Sequence, residues 1–383
     1  MRPYSSVSSD IAISNVSDMQ AAVNGAYSAL KSVNLYKRTI PLFGDLVADN
    51  VYISAINSNR YLDFFQLNYT ITNTNAQGIW QSAYVVILRA NNVINSSLQG
   101  NADIDQLRGE ALAIRALMYF ELEKFFAKPY TVDPNGLGVP LVLQYDPKLK
   151  PSRNTTAEVY TQIEADLTQA ISLMTKNKSS GVFTKYAAKA LLSRMYLFKG
   201  DWTNALATAK DVIDNSGYSL LLLNAVIPFW QNNSARTDKK EVLFEVVFDG
   251  TDDPESSLPT LFDQTGYGDA LAVDDFYNKF SNTDVRKSFF VVGSPTRGAN
   301  AKVINKFPNA NAADRDDMKV IRISEVYLIA AEAAYHLNNE PLALTYVNAV
   351  ATQRDPNFTG YTSTGSALLN DVLLEKRKEL AFE

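Results

Sequence analysis

The chain has 383 residues, 46% hydrophobic and 20% charged, a balance that supports a large buried core and argues against disorder. A formal net charge of −5, with no dense lysine and arginine stripe, offers no field for a phosphate backbone, which excludes nucleic acid as a partner class. Zero cysteines exclude disulfides, iron–sulfur clusters and thiolate chemistry, and no run approaches the roughly 20 apolar residues of a membrane-spanning helix.

The opening MRPYSSVSSDIAIS lacks the basic-then-apolar order of a signal peptide, so the chain reads as mature or truncated at its front. A first helix is expected over 17–30, where Ser17 and Gln20 make a capping-box pattern and Met19, Val23, Ala26, Tyr27 and Leu30 share a face. Further helices are expected at 79–96, 104–126, 156–174, 186–199 and 202–214, the third of these opened by a Thr155–Glu158 capping box. The stretch 128–154 is a Pro/Gly-rich connection, and 215–320 lacks a sustained helical period while carrying Gly, Pro, Asn and Asp clusters. Within it 241–248, EVLFEVVF, reads as a strand with a short local partner. Helices resume at 323–337, 341–352 and from 366 to the end, where LLEKRKELAFE is still helical in pattern with no Gly or Asn cap, as if cut off.

Some of these helices form a repeat. With Tyr186 as the first position of a 34-residue unit, Leu192, Tyr196, Ala205 and Ala209 fall at tetratricopeptide signature positions, and Gly200-Asp201-Trp202 makes the turn. The small alanines allow two helices to approach closely and Tyr196 fills the space beside them. SEVYLIAAEAAYHLNNEPLALTYVNAV repeats the pattern with Tyr335 and Ala343, and GEALAIRALMYFELEKFF supplies the first helix of a third pair whose partner is 156–174. Repeats this interrupted make a scaffold carrying insertions rather than a simple solenoid.

In order along the chain, AAVNGAYSAL, IWQSAYVVILRANNVI, RGEALAIRALMYFELEKFFAKPY with GVPLV, PSRNTTAEVYTQIEADLTQAI, AAKALLSRMYLFKGDWTNALATAKDVI, EVLFEVVF, IRISEVYLIAAEAA and LLEKRKELAFE resemble the SusD/RagB nutrient-binding outer-membrane lipoproteins. The resemblance covers essentially the whole chain. It implies a mainly α fold in which tetratricopeptide-type helix pairs form a right-handed superhelical scaffold with irregular loop and short-strand insertions. The expected organisation is one domain, 1–383, with scaffold at 17–34, 78–127, 155–215 and 322–383 and ligand-side insertions at 38–77, 128–154 and 216–320. The resemblance also implies a role: a non-catalytic lipoprotein on the outer face of the outer membrane, partnered with a SusC-like TonB-dependent transporter, holding a glycan, or a peptide or glycoprotein, for import. Two features of the resembled family are not found in this sequence: the lipid-bearing cysteine near the mature N-terminus, and the Gly- and Arg-rich stretch through which the C-terminal helix runs on.

Capture of a glycan without chemistry needs aromatic faces for sugar C–H surfaces, flanked by amides, carboxylates or guanidinium groups for the hydroxyls, on loops over a rigid scaffold. Tyr267, in FDQTGYGDALAVDDFYNKF, aligns with the loop where starch-binding members of the resembled family carry a stacking aromatic, against the alternative of ordinary loop packing. In GDLVADNVYISAINSNRYLDFF, Tyr52, Asn57, Arg60 and Tyr61 sit where such members place aromatic and amide groups, with Arg38 just upstream, against the alternative of a solvated or structural loop. Trp230 follows a proline and precedes a polar run, so it is either exposed or a staple over the insertion, whereas Trp80 and Trp202 read as core.

No cofactor, metal or catalytic set is expected. His336 has no second histidine or cysteine for a zinc site and no serine partner that can be tied to it. Asp249, Asp252 and Asp253 with Gly250, and Asp314, Asp316 and Asp317, suggest calcium loops but lack the spacing, and read as solvated turns. A glycosidase would need two carboxylates of split pKa, which no spacing selects, and a helical-repeat adaptor would need no insertions of this size.

Overall fold

The computed structural model describes residues 13–146, 148–231, 239–249, 252, 256–309 and 316–383. In chain order the elements are α1 (Val16–Leu30), α2 (Thr39–Val47), β1 (Val51–Ile53), α3 (Leu62–Phe65), α4 (Thr74–Ile94), α5 (Ala102–Phe126), α6 (Thr156–Leu173), α7 (Lys185–Lys199), α8 (Trp202–Asn215) and α9 (Leu223–Gln231). There follow β2 (Val242–Val246), α10 (Pro259–Phe262), β3 (Ala270–Ala272), α11 (Asp274–Tyr277), β4 (Phe290–Ser294), β5 (Gly298–Ile304), β6 (Met318–Arg322), α12 (Ile323–His336), α13 (Glu340–Ala351) and α14 (Gly365–Leu380). The fold is mainly helical with short strands, as the periodicity predicts. Its contacts separate into two compact units, the described residues of 1–30 and 80–212 and those of 31–79 and 213–383.

The first unit is built on α5, which is buried along most of its length because α1, α6 and α7 all pack on it. Asn101 caps its first turn by accepting from the amides of Asp103 and Ile104. The α5–α6 contact is close at Gly109, where a Cβ would stand 2.7 Å from Met174 Cγ. Inside this contact Arg115 grips Asp166 with two hydrogen bonds, of 2.7 and 2.6 Å, and reaches Asn91 with a third. The predicted capping box at Thr155 and Glu158 forms on α6. The one at Ser17 does not: α1 starts at Val16, and the cap is Asn15, which accepts from the Asp18 amide at 3.0 Å. Helix α7 ends at Gly200, whose φ of +77° is costly for any residue with a Cβ, and α8 then buries Ala205, Ala209 and Val212. Trp80 and Trp202, expected in the core, are half-buried; Trp80 meets Phe126 edge-on at 5.0 Å.

The second unit holds the α12–α13 pair, with Ala343 fully buried as the repeat pattern requires. Strand β2 pairs with β6, Val242 opposite Arg322, so its partner is distant in the chain and the expectation of a local partner is corrected. A four-stranded antiparallel sheet has the order β1-β3-β5-β4.

The same unit buries a network of charges around α14. The inward stripe of this helix runs Leu368, Val372, Glu375, Glu379, apolar at first and then acidic. Arg286 binds Asp284, Glu375 and Glu379 at 2.7, 2.6 and 3.0 Å. Arg354 binds Glu241 and Glu379 at 2.7 and 2.9 Å, and Arg322 binds Glu379 and Glu383 at 2.9 and 2.7 Å. Burial alone would raise the Glu379 carboxyl, yet the Arg354 and Arg322 guanidiniums outweigh it and hold the group well below the usual range. Glu375 is likewise lowered, burial being overcome by Arg286 and Lys378. Glu241 stays above its ordinary value, because burial exceeds the pull of Arg354 and Arg322 and because Glu379 and Glu383 lie close.

Two sequence readings change here. Trp230, a candidate for exposure, is only 5% exposed: it lies on the inner face of α9, edge-on to Phe307 at 5.5 Å, with the Lys306 ammonium 4.2 Å from its ring. Asp316 and Asp317 are working contacts rather than a solvated turn. Asp316 accepts the Asn309 amide, and Asp317 accepts the Phe248 amide at 2.9 Å and pairs with Lys239 at 3.2 Å. Asp252 pairs with Lys31 and accepts the Asp249 amide, while Gly250, Asp253 and Asp314 lie outside the described residues.

Candidate ligand-binding site

All the candidate residues belong to the second unit, and its sheet brings most of them together. Strand β1 precedes one candidate loop and β3 follows the other. Antiparallel pairing with Ile53 opposite Ala270 therefore sets residues 54–61 beside residues 263–269. The ladder continues one step further, with the Ser54 amide donating to the Asp269 carbonyl at 2.8 Å. Asp269 is 1% exposed, and its carboxylate accepts both the amide and the hydroxyl of Ser58. One buried side chain thus ties the two loops together.

The first loop is shaped from within. The Asn57 amide group donates to the Ser54 carbonyl at 2.6 Å and accepts from the Asn59 amide at 2.8 Å, so it fastens the loop rather than facing a ligand, contrary to the expectation for this residue. Asn59 and Tyr61 have φ of +62° and +58°, left-handed values that cost about 1–2 kcal/mol for a residue with a Cβ. Arg60 sits between these two positions. Tyr61 is held in place by its hydroxyl, which accepts from Arg38 Nε at 2.8 Å and shares a hydrogen bond of 2.8 Å with Thr39. Tyr61 is only 3% exposed, so it supports the loop and offers no ring face; the sequence reading of it as a ligand contact is corrected.

The strained segment delivers Arg60 onto Tyr267. The guanidinium carbon is 3.9 Å from the ring centroid, and both residues are half-buried. Behind Tyr267, Arg297 from the turn between β4 and β5 donates to the carbonyls of Tyr267 and Gly268 at 2.9 and 3.2 Å. In the same turn the Ser294 hydroxyl donates to Gln264 at 2.8 Å. In the first loop Ile56 is 62% exposed, an apolar side chain presented to solvent. Tyr52, half-buried on β1 opposite Leu271, packs against Leu271, Ala301 and Val303. Arg297 and Asp269 escaped sequence reasoning, because an arginine in a polar turn and an aspartate after Tyr-Gly give no local sign of a partner 30 or 211 residues away.

Groups of three or more His, Cys, Asp or Glu side chains arranged to hold a metal ion are absent among the described residues. His336 closes α12 with its ring 5.4 Å from Tyr335.

A mainly helical chain with tetratricopeptide-like helix pairs and two loops locked together by a buried aspartate has the make-up of a binding protein. The comparisons give the family. A family pattern described as starch-binding and associating with the outer membrane matches residues 3–197, and the SusD family pattern matches residues 274–383. The chain belongs to the SusD/RagB family. A solved protein of Bacteroides vulgatus is 31% identical, with a TM-score of 0.86 over 97% of this chain and 85% of its own. A SusD superfamily structure from Bacteroides thetaiotaomicron is 28% identical, with a TM-score of 0.87 over 97% and 87% of the two chains. A SusD-like protein of Formosa agariphila is 24% identical over 96% of this chain and 81% of its own length.

Proposed function

We propose that the protein captures a glycan, without catalysis, on the surface formed by residues 54–61 and 264–269, and passes it to a SusC-like TonB-dependent transporter. In this reading it works at the outer face of the outer membrane as a lipoprotein. Family membership supports the carbohydrate class and the membrane association. The observation that carries the site is the meeting of two loops distant in sequence, locked by Asp269 and topped by the Arg60–Tyr267 stack. A surface already fixed in shape loses little conformational entropy on binding, which suits an extended, weakly contoured ligand.

Affinity electrophoresis and calorimetry over a polysaccharide panel test the reading. Retardation without release of reducing ends is expected, and reducing ends in proportion to protein would contradict it. Co-purification with a barrel-type transporter from outer membranes tests delivery. Its consistent absence, with glycan binding intact, would remove the transporter from the account.

A further inference from the structure

The candidate surface is rich in guanidinium groups whose donors are not spent. Arg60 makes no hydrogen bond or ion pair among the described residues; its only contact of this kind is the face of Tyr267. With its carbon 3.9 Å from the ring centroid and no N–H spent on a hydrogen bond, the guanidinium keeps donors that match two oxygens of a carboxylate or a sulfate ester. Arg38 uses Nε on the Tyr61 hydroxyl, and neither of its Nη atoms has a partner among the described residues. Arg297 uses Nε and Nη2 on backbone carbonyls, leaving Nη1.

The three groups are linked through two tyrosines. Arg38 binds the Tyr61 hydroxyl, Arg60 is the next residue and covers the Tyr267 ring, and Arg297 binds the Tyr267 carbonyl. None of the three has a carboxylate within ion-pair distance among the described residues, in a chain where acidic residues outnumber basic ones 41 to 36. The carboxylates of the same loops are turned to other work. Asp269 holds Ser58, Asp263 holds Thr265, and Asp63 holds Asn73.

Resting on the glycan-capture reading, we propose that the ligand is an anionic glycan, its uronate or sulfate groups received by Arg60 with Arg38 and Arg297 beside it. The sugar ring would lie along Tyr267, and the anion would meet the unspent N–H donors of the guanidinium. Recognition of this kind combines stacking with a charge-assisted pair, so it weakens as salt shortens the range of the attraction.

Paired probes separate this proposal from the reading beneath it. Calorimetry uses polygalacturonate beside its carboxyl-reduced twin and chondroitin sulfate beside a twin both desulfated and carboxyl-reduced, with starch and galactomannan as further neutral glycans. At least one charged probe should bind about tenfold or more tightly than its neutral twin, with affinity falling as sodium chloride rises. Arg60→Gln should abolish that preference with an unchanged unfolding midpoint, and Arg60→Lys should restore part of it. Equal binding of both twins, binding of the neutral glycans alone, or an Arg60→Gln protein that keeps the preference would overturn the anionic ligand and leave glycan capture standing. No binding to any glycan would overturn both.

Discussion

Two sets of three arginines in the second unit show opposite uses of one side chain. Arg286, Arg322 and Arg354 are buried, and each is met by at least two carboxylates around α14. Arg38, Arg60 and Arg297 are half-buried, and their partners are a phenol, an aromatic face and backbone carbonyls. A buried guanidinium has lost its water and must be repaid by charge, so the first set is committed to the fold. A half-exposed one keeps water until something better arrives. Whether an arginine is structural or available is therefore decided by what surrounds its edge.

The largest expected effect lies in the committed set. Arg354→Ala leaves Glu241 and Glu379 buried without one of their partners and should cost about 3–5 kcal/mol in urea unfolding. A comparable loss in Arg60→Ala would erase the distinction between the sets. Acid probes the same network. Glu375 and Glu379 have lowered pKa values in the folded state, so their contribution is complete above the ordinary glutamate value of 4.5 and is lost as pH falls through the folded values. The unfolding midpoint should drop on that acid limb.

A lone buried carboxyl sharpens the contrast from the other sign. Glu123 in the first unit accepts the Val139 amide at 2.8 Å, and its other oxygen is without a hydrogen-bond partner among the described residues. Burial raises its pKa to about 7. The folded state therefore binds the extra proton, and stability from this group falls as pH rises from about 4.5 to 7. Glu123→Gln keeps an acceptor for Val139 and should flatten that slope, gaining on the order of 2 kcal/mol at pH 8 and little at pH 4 in paired denaturation curves. A smaller effect is expected from Tyr267→Ala. It should weaken glycan binding several-fold, about 1 kcal/mol, with the melting temperature nearly unchanged. A large stability loss with normal affinity would make Tyr267 a packing residue.

The helix pairs were legible because their signal is local. Small residues and apolar stripes recur at helical spacing in α5, α7, α8, α12 and α13 wherever each helix finally packs. Helices α2 and α9 escaped the same reasoning because each is only nine residues long, too short for a sustained period; Pro41 falls in the first turn of α2, where a missing N–H costs little. Nothing local to α14 marks Glu375 and Glu379 as core, since their arginine partners lie far away in the chain.

For the proposed site, sequence reasoning named both loops but not their meeting, which depends on pairing Ile53 with Ala270 across the chain. It also could not tell a phenol whose hydroxyl is satisfied inside, as in Tyr61, from one that faces outward. Trp230 shows the same limit, since a proline and a polar neighbour say nothing of the aromatic cluster formed by Phe229, Phe289 and Phe307.

Amide hydrogen exchange of the full chain tests the site most directly, with and without the polysaccharide that retards it most in affinity electrophoresis. Protection is expected in 54–61, 264–269 and 294–298, with no change through 318–383, where the paired arginines lie. Protection confined to other segments, with 54–61 and 264–269 exchanging as in the free protein, would contradict the placement of the ligand on the Arg60–Tyr267 surface.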